Sequence, residues 1–154
     1  GEAAPRALVI SAFRDVTING FLGLGHGGYT SGSAVALQYK CQFVTINGLS
    51  LRGFRGMDYD LNLYGGSSRG DRHNISNVDI KNSATNGIGI GNDITRCNVS
   101  NVQMLGRGLA GSTGIKTGSS GNNLYGFQIT SYAQPMDVAG TKSNERAYFR
   151  GGAA

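Results

Sequence analysis

Val16-Thr-Ile-Asn-Gly-Phe21 and Val44-Thr-Ile-Asn-Gly-Leu49 differ only in their last residue. Three looser copies follow: His73-Asn-Ile-Ser-Asn-Val78, Cys97-Asn-Val-Ser-Asn-Val102 and Asn122-Asn-Leu-Tyr-Gly-Phe127. Aligned, the copies form columns. Ile18, Ile46, Ile75, Val99 and Leu124 make one apolar column. Phe21, Leu49, Val78, Val102 and Phe127 make a second, three residues on. Leu51, Ile80, Met104 and Ile129 make a third in the last four copies, with Leu22 or Gly23 nearest that place in the first. Between the first two columns stand Gly20, Gly48, Asn77, Asn101 and Gly126. Glycine and asparagine enter the left-handed backbone region at least cost, so each copy is expected to bend there at positive φ. Residues three apart on a straight strand face opposite ways. A left-handed bend between them turns both toward one interior.

The copies follow at intervals of 28, 29, 24 and 25 residues (18 to 46 to 75 to 99 to 124). Fixed columns at unequal spacing are the mark of a solenoid whose loops vary. Each copy has a further strand-like piece: Val35-Ala-Leu37, Leu61-Asn-Leu63, Ile88-Gly-Ile90, Ile115-Lys-Thr117 and Met136-Asp-Val138. Their alternation is that of a strand with one buried face. Gly87, Gly114 and Pro135 precede three of them and read as turn residues. The expectation is an all-β solenoid of about five coils with three short strands per coil. Residues 1–154 form one domain, with coils over about 16–140 and with 1–15 and 141–154 as caps or assembly arms.

Composition agrees. Glycine supplies 26 of 154 residues and proline 2, without the three-residue period of collagen. A hydrophobic share of 39% is too high for a disordered chain. So much glycine argues against helices, because each interior glycine costs roughly 1 kcal/mol against alanine. Apolar runs such as Ala7 to Ile10 are too short for a membrane span. The opening residues show no charged start followed by an apolar core, so no signal peptide is read there. The net charge is +5, but the arginines are scattered rather than clustered. Nucleic acid is therefore not an expected partner, while attraction to acidic glycans fits. Cys41 and Cys97 are the only cysteines and form no CxxC; they are read as reduced, small apolar residues. No metal or cofactor is expected.

The coil pattern resembles the right-handed parallel β-helix of the pectate-lyase-like superfold, also seen in phage tailspikes. The resemblance covers about four-fifths of the chain and carries architecture rather than activity. It implies a stack about 24 Å tall, five coils at roughly 4.8 Å each. The ends of such a short stack need cover from terminal residues or from another chain.

The stretch 52–60 holds Arg52, Arg55, Asp58, Tyr59 and Asp60. Asp58 and Asp60, two apart, are expected on one side of a strand. Such a pair suits glycoside hydrolysis or Ca²⁺ binding; the plainer reading is a solvated loop with weak Asp–Arg pairs. Gly25-His-Gly-Gly28 resembles the Gly-His-Gly motif of polygalacturonases, but the acid, base and Arg-Ile-Lys motifs of that family are missing, so His26 reads as a loop residue. Gly87-Ile-Gly-Ile-Gly-Asn-Asp93 lies where related enzymes carry acids, and here the outward position is Gly89. Ser50, Asp79, Gln103 and Gln128 form an outward column flanked by Arg52, Lys81, Leu105 and Thr130. One carboxylate is too few for the Ca²⁺ cage of a pectate lyase, so pairing across coils or contact with a sister subunit is expected. His73 falls in an inward column and reads as a half-buried, hydrogen-bonded histidine. Arg69-Gly-Asp71 is discounted as a chance tripeptide. Tyr125, at a bend, should point outward, as glycan or subunit contact requires.

The preferred function is a non-enzymatic virion protein of phage type: tail fibre, tailspike or capsid decoration. The resemblance implies a homotrimer, contact with other virion proteins and binding of bacterial surface polysaccharide; Arg52, Arg55, Tyr59, Lys81 and Tyr125 are the expected glycan or subunit contacts. The alternative is a secreted or cell-surface polysaccharide lyase or hydrolase, with Asp58, Asp60, Asp79 and Asp93 as its acids. A solenoid adhesion domain is a third reading.

Overall fold

The computed structural model describes residues 7–26, 28–64, 70–82, 84–119, 121–138 and the backbone of 144–146. Among them there are strands and no helix. In chain order the strands are β1 (Leu8–Ser11), β2 (Thr17–Leu24), β3 (Ser33–Gln38), β4 (Thr45–Arg52), β5 (Tyr59–Tyr64), β6 (Gly70–Asp71) and β7 (Asn74–Lys81). There follow β8 (Asn86–Ile90), β9 (Ile94–Thr95), β10 (Asn98–Leu105), β11 (Thr113–Thr117), β12 (Asn123–Thr130), β13 (Gln134–Val138) and β14 (Asn144–Arg146). One sheet stacks β1-β3-β5-β8-β11-β13 and a second stacks β2-β4-β7-β10-β12-β14. Every pairing is parallel, each strand lying on its equivalent one coil away. The chain is a parallel β-solenoid.

The register of the second sheet is the column alignment itself. Ile18, Ile46, Ile75, Val99 and Leu124 succeed one another, as do Phe21, Leu49, Val78, Val102 and Phe127. Four steps separate these five bent strands. From the second coil onward both columns are buried. Each such side chain contributes roughly 1.5–3 kcal/mol by leaving water. The third column begins at Gly23, which pairs with Leu51. A Cβ on Gly23 would lie 2.8 Å from the Leu51 side chain and 3.2 Å from the Phe54 ring. Buried Phe54 thus fills the place that the first coil leaves empty.

All five bend residues lie at positive φ: Gly20 at 72°, Gly48 at 81°, Asn77 at 56°, Asn101 at 51° and Gly126 at 71°. The ladder resumes immediately past each bend, so the pieces on either side form one eight-residue strand. The third face of the coil is a short ladder instead, β6 on β9, continued by bridges from Asp71 to Gln42 and from Gln42 to Arg14. Between this ladder and the second sheet the chain turns again. Asp15, Phe43, Arg72, Arg96 and Gly121 sit in register there, with φ of 56°, 54°, 56°, 56° and 78°. This second left-handed column is invisible in residue type.

Gly87 and Gly114 lie within β8 and β11 rather than in turns before them. A Cβ on Gly87 would come 2.5 Å from the Gly114 carbonyl and 2.7 Å from the Met104 sulfur. Their role is close packing. The sheets also reach past 16–140: β1 pairs with β3, and β14 with β12. Of the expected caps, residues 1–6, 141–143 and 147–154 lie outside the described residues.

Candidate functional site

The acids at the start of β5 do not form a pair. The strand begins at Tyr59, so Asp58 still belongs to the preceding turn. Asp58 is exposed, and its Oδ2 accepts the Gly32 N–H at 2.8 Å. Asp60 is wholly buried and accepts the Ala84 N–H at 3.2 Å on both oxygens. Each carboxylate therefore holds a loop of a different neighbouring coil. The expectation that both project on one side fails because the chain straightens only after Asp60, where the regular register with β3 resumes at Leu61. Asp79 stands on the outer face of β7, and Asp93 in the turn after β8. The four acids considered for catalysis thus sit on separate pieces of the coil.

Asp79 meets cations instead. Its Oδ2 is 3.3 Å from Arg52 Nη2 and 3.2 Å from Lys81 Nζ. Arg52 and Lys81 are register partners on β4 and β7, so the cluster bridges two coils. Exposed pairs of this kind are worth at most about 1 kcal/mol. Next to it Gln103, Gln128, Leu105 and Thr130 border a shallow depression of about 170 Å³. Leu22, Leu24 and Leu105 stand exposed on the same sheet, as does Tyr125. Arg55 lies apart, exposed in the turn that follows β4.

The inward column beside the second corner runs Val16, Val44, His73, Cys97 and Asn122, and it turns polar along the stack. His73 is 1% exposed, deeper than half-buried. Its Nδ1 accepts the Val44 N–H at 3.4 Å, while Nε2 has no hydrogen-bond partner among the described residues. Two coils on, Asn122 Oδ1 accepts the Cys97 N–H at 3.0 Å. Burial lowers the His73 pKa to about 4 against the partial opposition of Asp71. Burial likewise pushes the Cys97 thiol up to about 12. Histidine and thiol are both held neutral, the reverse of a catalytic ion pair. Cys41 and Cys97 are free thiols. Asp71 is buried and paired with Arg96 and Arg72, whereas Arg69 of the tripeptide lies outside the described residues. His26 is exposed and packs against Tyr29, with ring centroids 5.3 Å apart.

The outer face of the first sheet carries a groove of about 270 Å³. Tyr59, Tyr64, Asn62 and Lys116 border it over a floor that includes Gly89 and Gly118. Of these, Tyr59 is the contact expected from the sequence. Asn62, Gly89 and Lys116 are in register on β5, β8 and β11. Only that register reveals that they share a surface.

No family model matches the chain. It is similar to the phage-related protein YobO of Bacillus subtilis, at 38% identity over 138 residues, 88% of this chain and 17% of that protein. It is similar to the pre-neck appendage protein of Bacillus phage B103, at 34% over 151 residues, 94% of this chain and 17% of that protein. The corresponding protein of Bacillus phage phi29 is 32% identical over 146 residues, again 94% and 17%. The chain thus spans about a sixth of the length of these relatives. Among solved structures it resembles the pre-mature form of phage phi29 gene product 12, with a TM-score of 0.82 at 32% identity over 93% of this chain and 19% of that one. An N-terminal fragment of the same gene product gives 0.79, covering 93% and 24%.

Proposed function

We propose that the chain is a structural segment of an appendage on a phage particle, a β-solenoid that acts by shape and surface rather than by catalysis. The observation that carries this reading is the pairing of sequence and fold: nearly the whole chain aligns with phage pre-neck appendage proteins, and its coils superpose on those of gene product 12 of phage phi29. In this reading the coil is the right-handed, pectate-lyase-like kind, in line with the strong right-handed preference of parallel crossovers. Three copies stand side by side around a three-fold axis. The exposed Leu22 and Leu24, on one strand at the edge of the second sheet, support such a contact, since neighbouring apolar side chains gain by being covered. The outward surfaces left free meet other virion proteins or bacterial surface polysaccharide.

Mass spectrometry of purified particles tests the location: peptides from this chain are expected in particles banded by density gradient. Their absence from particles, with presence in the lysate, would end the reading. Sedimentation equilibrium of the full-length protein is expected to give three times the monomer mass. A monomer would remove the three-fold arrangement while leaving the location standing.

A further inference from the structure

We propose that Asn19 is a site of spontaneous covalent modification: its side chain closes onto the backbone nitrogen of Gly20, loses ammonia, and leaves aspartate or isoaspartate in the first bend.

The chain holds three Asn-Gly steps, Asn19-Gly20, Asn47-Gly48 and Asn86-Gly87. Glycine in second place favours the reaction, because no Cβ shields the attacking nitrogen. That nitrogen gives its proton to solvent base and bonds to the asparagine Cγ. The Cγ–Nδ2 bond breaks, and the amide nitrogen takes a proton from water and departs as ammonia. Water then opens the five-membered imide at one of its two carbonyls.

The three steps differ in how firmly the amide is held. Asn86 is held at both ends: Nδ2 donates to the Asp58 carbonyl at 3.0 Å, and Oδ1 accepts the Thr113 N–H at 2.9 Å. Gly87 beside it is buried within β8. Asn47 is held at one end, where Oδ1 accepts Asn77 Nδ2 at 2.6 Å and the Ser76 hydroxyl at 3.4 Å.

Asn19 and Asn47 are register partners, each within the sequence Thr-Ile-Asn-Gly. The glycines that follow them have φ of 72° and 81°. Local sequence and backbone are therefore matched, and the tether is what differs. The donor to Asn47 stands at the bend one coil on. For Asn19 that bend position is Gly48, which has no side chain to donate. Asn19 and Gly20 are both exposed, and a Cβ on Gly20 would meet nothing within 4 Å. The amide can thus turn toward the Gly20 nitrogen without breaking a bond to a bend residue of the next coil.

Incubation of the full-length protein at mildly alkaline pH, followed by peptide mapping with mass spectrometry, tests the site. Asn19 should convert roughly tenfold faster than Asn47, the factor that hydrogen bonds on the amide supply, and Asn86 should be slowest. In guanidinium chloride Asn19 and Asn47 should convert at one rate, since their local sequences are the same. Gly48→Asn offers Asn19 the donor that Asn77 offers Asn47, and it should slow Asn19. A Cβ on Gly48 would lie 3.5 Å from Gly20, an ordinary contact, so this variant should fold. Asn77→Gly should bring Asn47 up to the rate of Asn19. Equal conversion at Asn19 and Asn47 in the folded protein would overturn the assignment. So would an Asn19 rate that Gly48→Asn leaves unchanged.

Discussion

Two columns of left-handed residues turn each coil, and they reach the same backbone geometry by opposite means. At the bend of the second sheet the residue itself does the work: Gly20, Gly48, Asn77, Asn101 and Gly126 tolerate positive φ. Asparagine adds a side-chain ladder, Asn77 Nδ2 donating to Asn47 Oδ1 at 2.6 Å and Asn101 donating to Asn77. At the other corner Phe43, Arg72 and Arg96 adopt that geometry although bulky side chains disfavour it by roughly 1–2 kcal/mol each. Their surroundings hold them. The Arg96 guanidinium binds Asp71 through two nitrogens, with Nε at 2.8 Å from Oδ1. Phe43 takes Arg14 and Arg72 over its ring at 5.6 and 5.1 Å. A left-handed corner can thus be set by the residue or imposed by what packs around it.

The largest effect should come from the side chain that ties the corners together. Ile75 is fully buried on β7 between Arg72 and Asn77. Ile75→Ala is expected to cost about 2–5 kcal/mol in chemical denaturation, loosening both corners at once. A loss below about 1 kcal/mol would mean that the columns do not share one core.

Acid should act on the imposed corner alone. His73 follows Arg72, and its pKa falls from 6.5 to about 4 on folding. The unfolded chain therefore takes up the proton first. Stability is full above about pH 6.5 and declines as pH falls toward 4, by about 3 kcal/mol in all. His73→Asn copies the coil of Asn122, whose amide accepts the equivalent N–H. It should flatten this part of the pH profile measured by urea unfolding. An unchanged profile would place the acid sensitivity elsewhere.

Arg96→Gly relieves the backbone but removes the partner of buried Asp71. A net loss of about 1–2 kcal/mol is expected, since a buried charge left short of its partner outweighs the strain released. Asn77→Gly at the intrinsic bend should change stability by less than about 1 kcal/mol, because only exposed amide bonds are lost. Equal costs at the two sites, measured by the same unfolding curve, would erase the distinction between the corners.

The same distinction decides what the sequence reveals. The intrinsic bend is legible because Gly and Asn alternate with apolar columns three residues apart. The imposed corner is not, because Phe and Arg carry no local preference for positive φ; pairing across coils creates it. Asp58 and Asp60 look like a catalytic pair by spacing, yet the turn before β5 sends one to the surface and one inside. The groove escapes the pattern because Asn62, Gly89 and Lys116 meet through register between coils whose loops differ in length. Tyr125, by contrast, could be placed outward from the bend column alone, and it is 48% exposed.

A single stack of parallel coils underlies both corners and both outer faces. Leu22, Ser50, Asp79, Gln103 and Gln128 succeed one another along one ridge of the second sheet. Spin labels at Leu22→Cys and Gln128→Cys, read by electron double resonance, measure its height; the buried native thiols should stay unlabelled. Four steps predict a narrow distribution centred at about 19 Å, broadened by the label arms. A mean beyond about 30 Å, or a distribution with no defined peak, would contradict the stacked-coil structure.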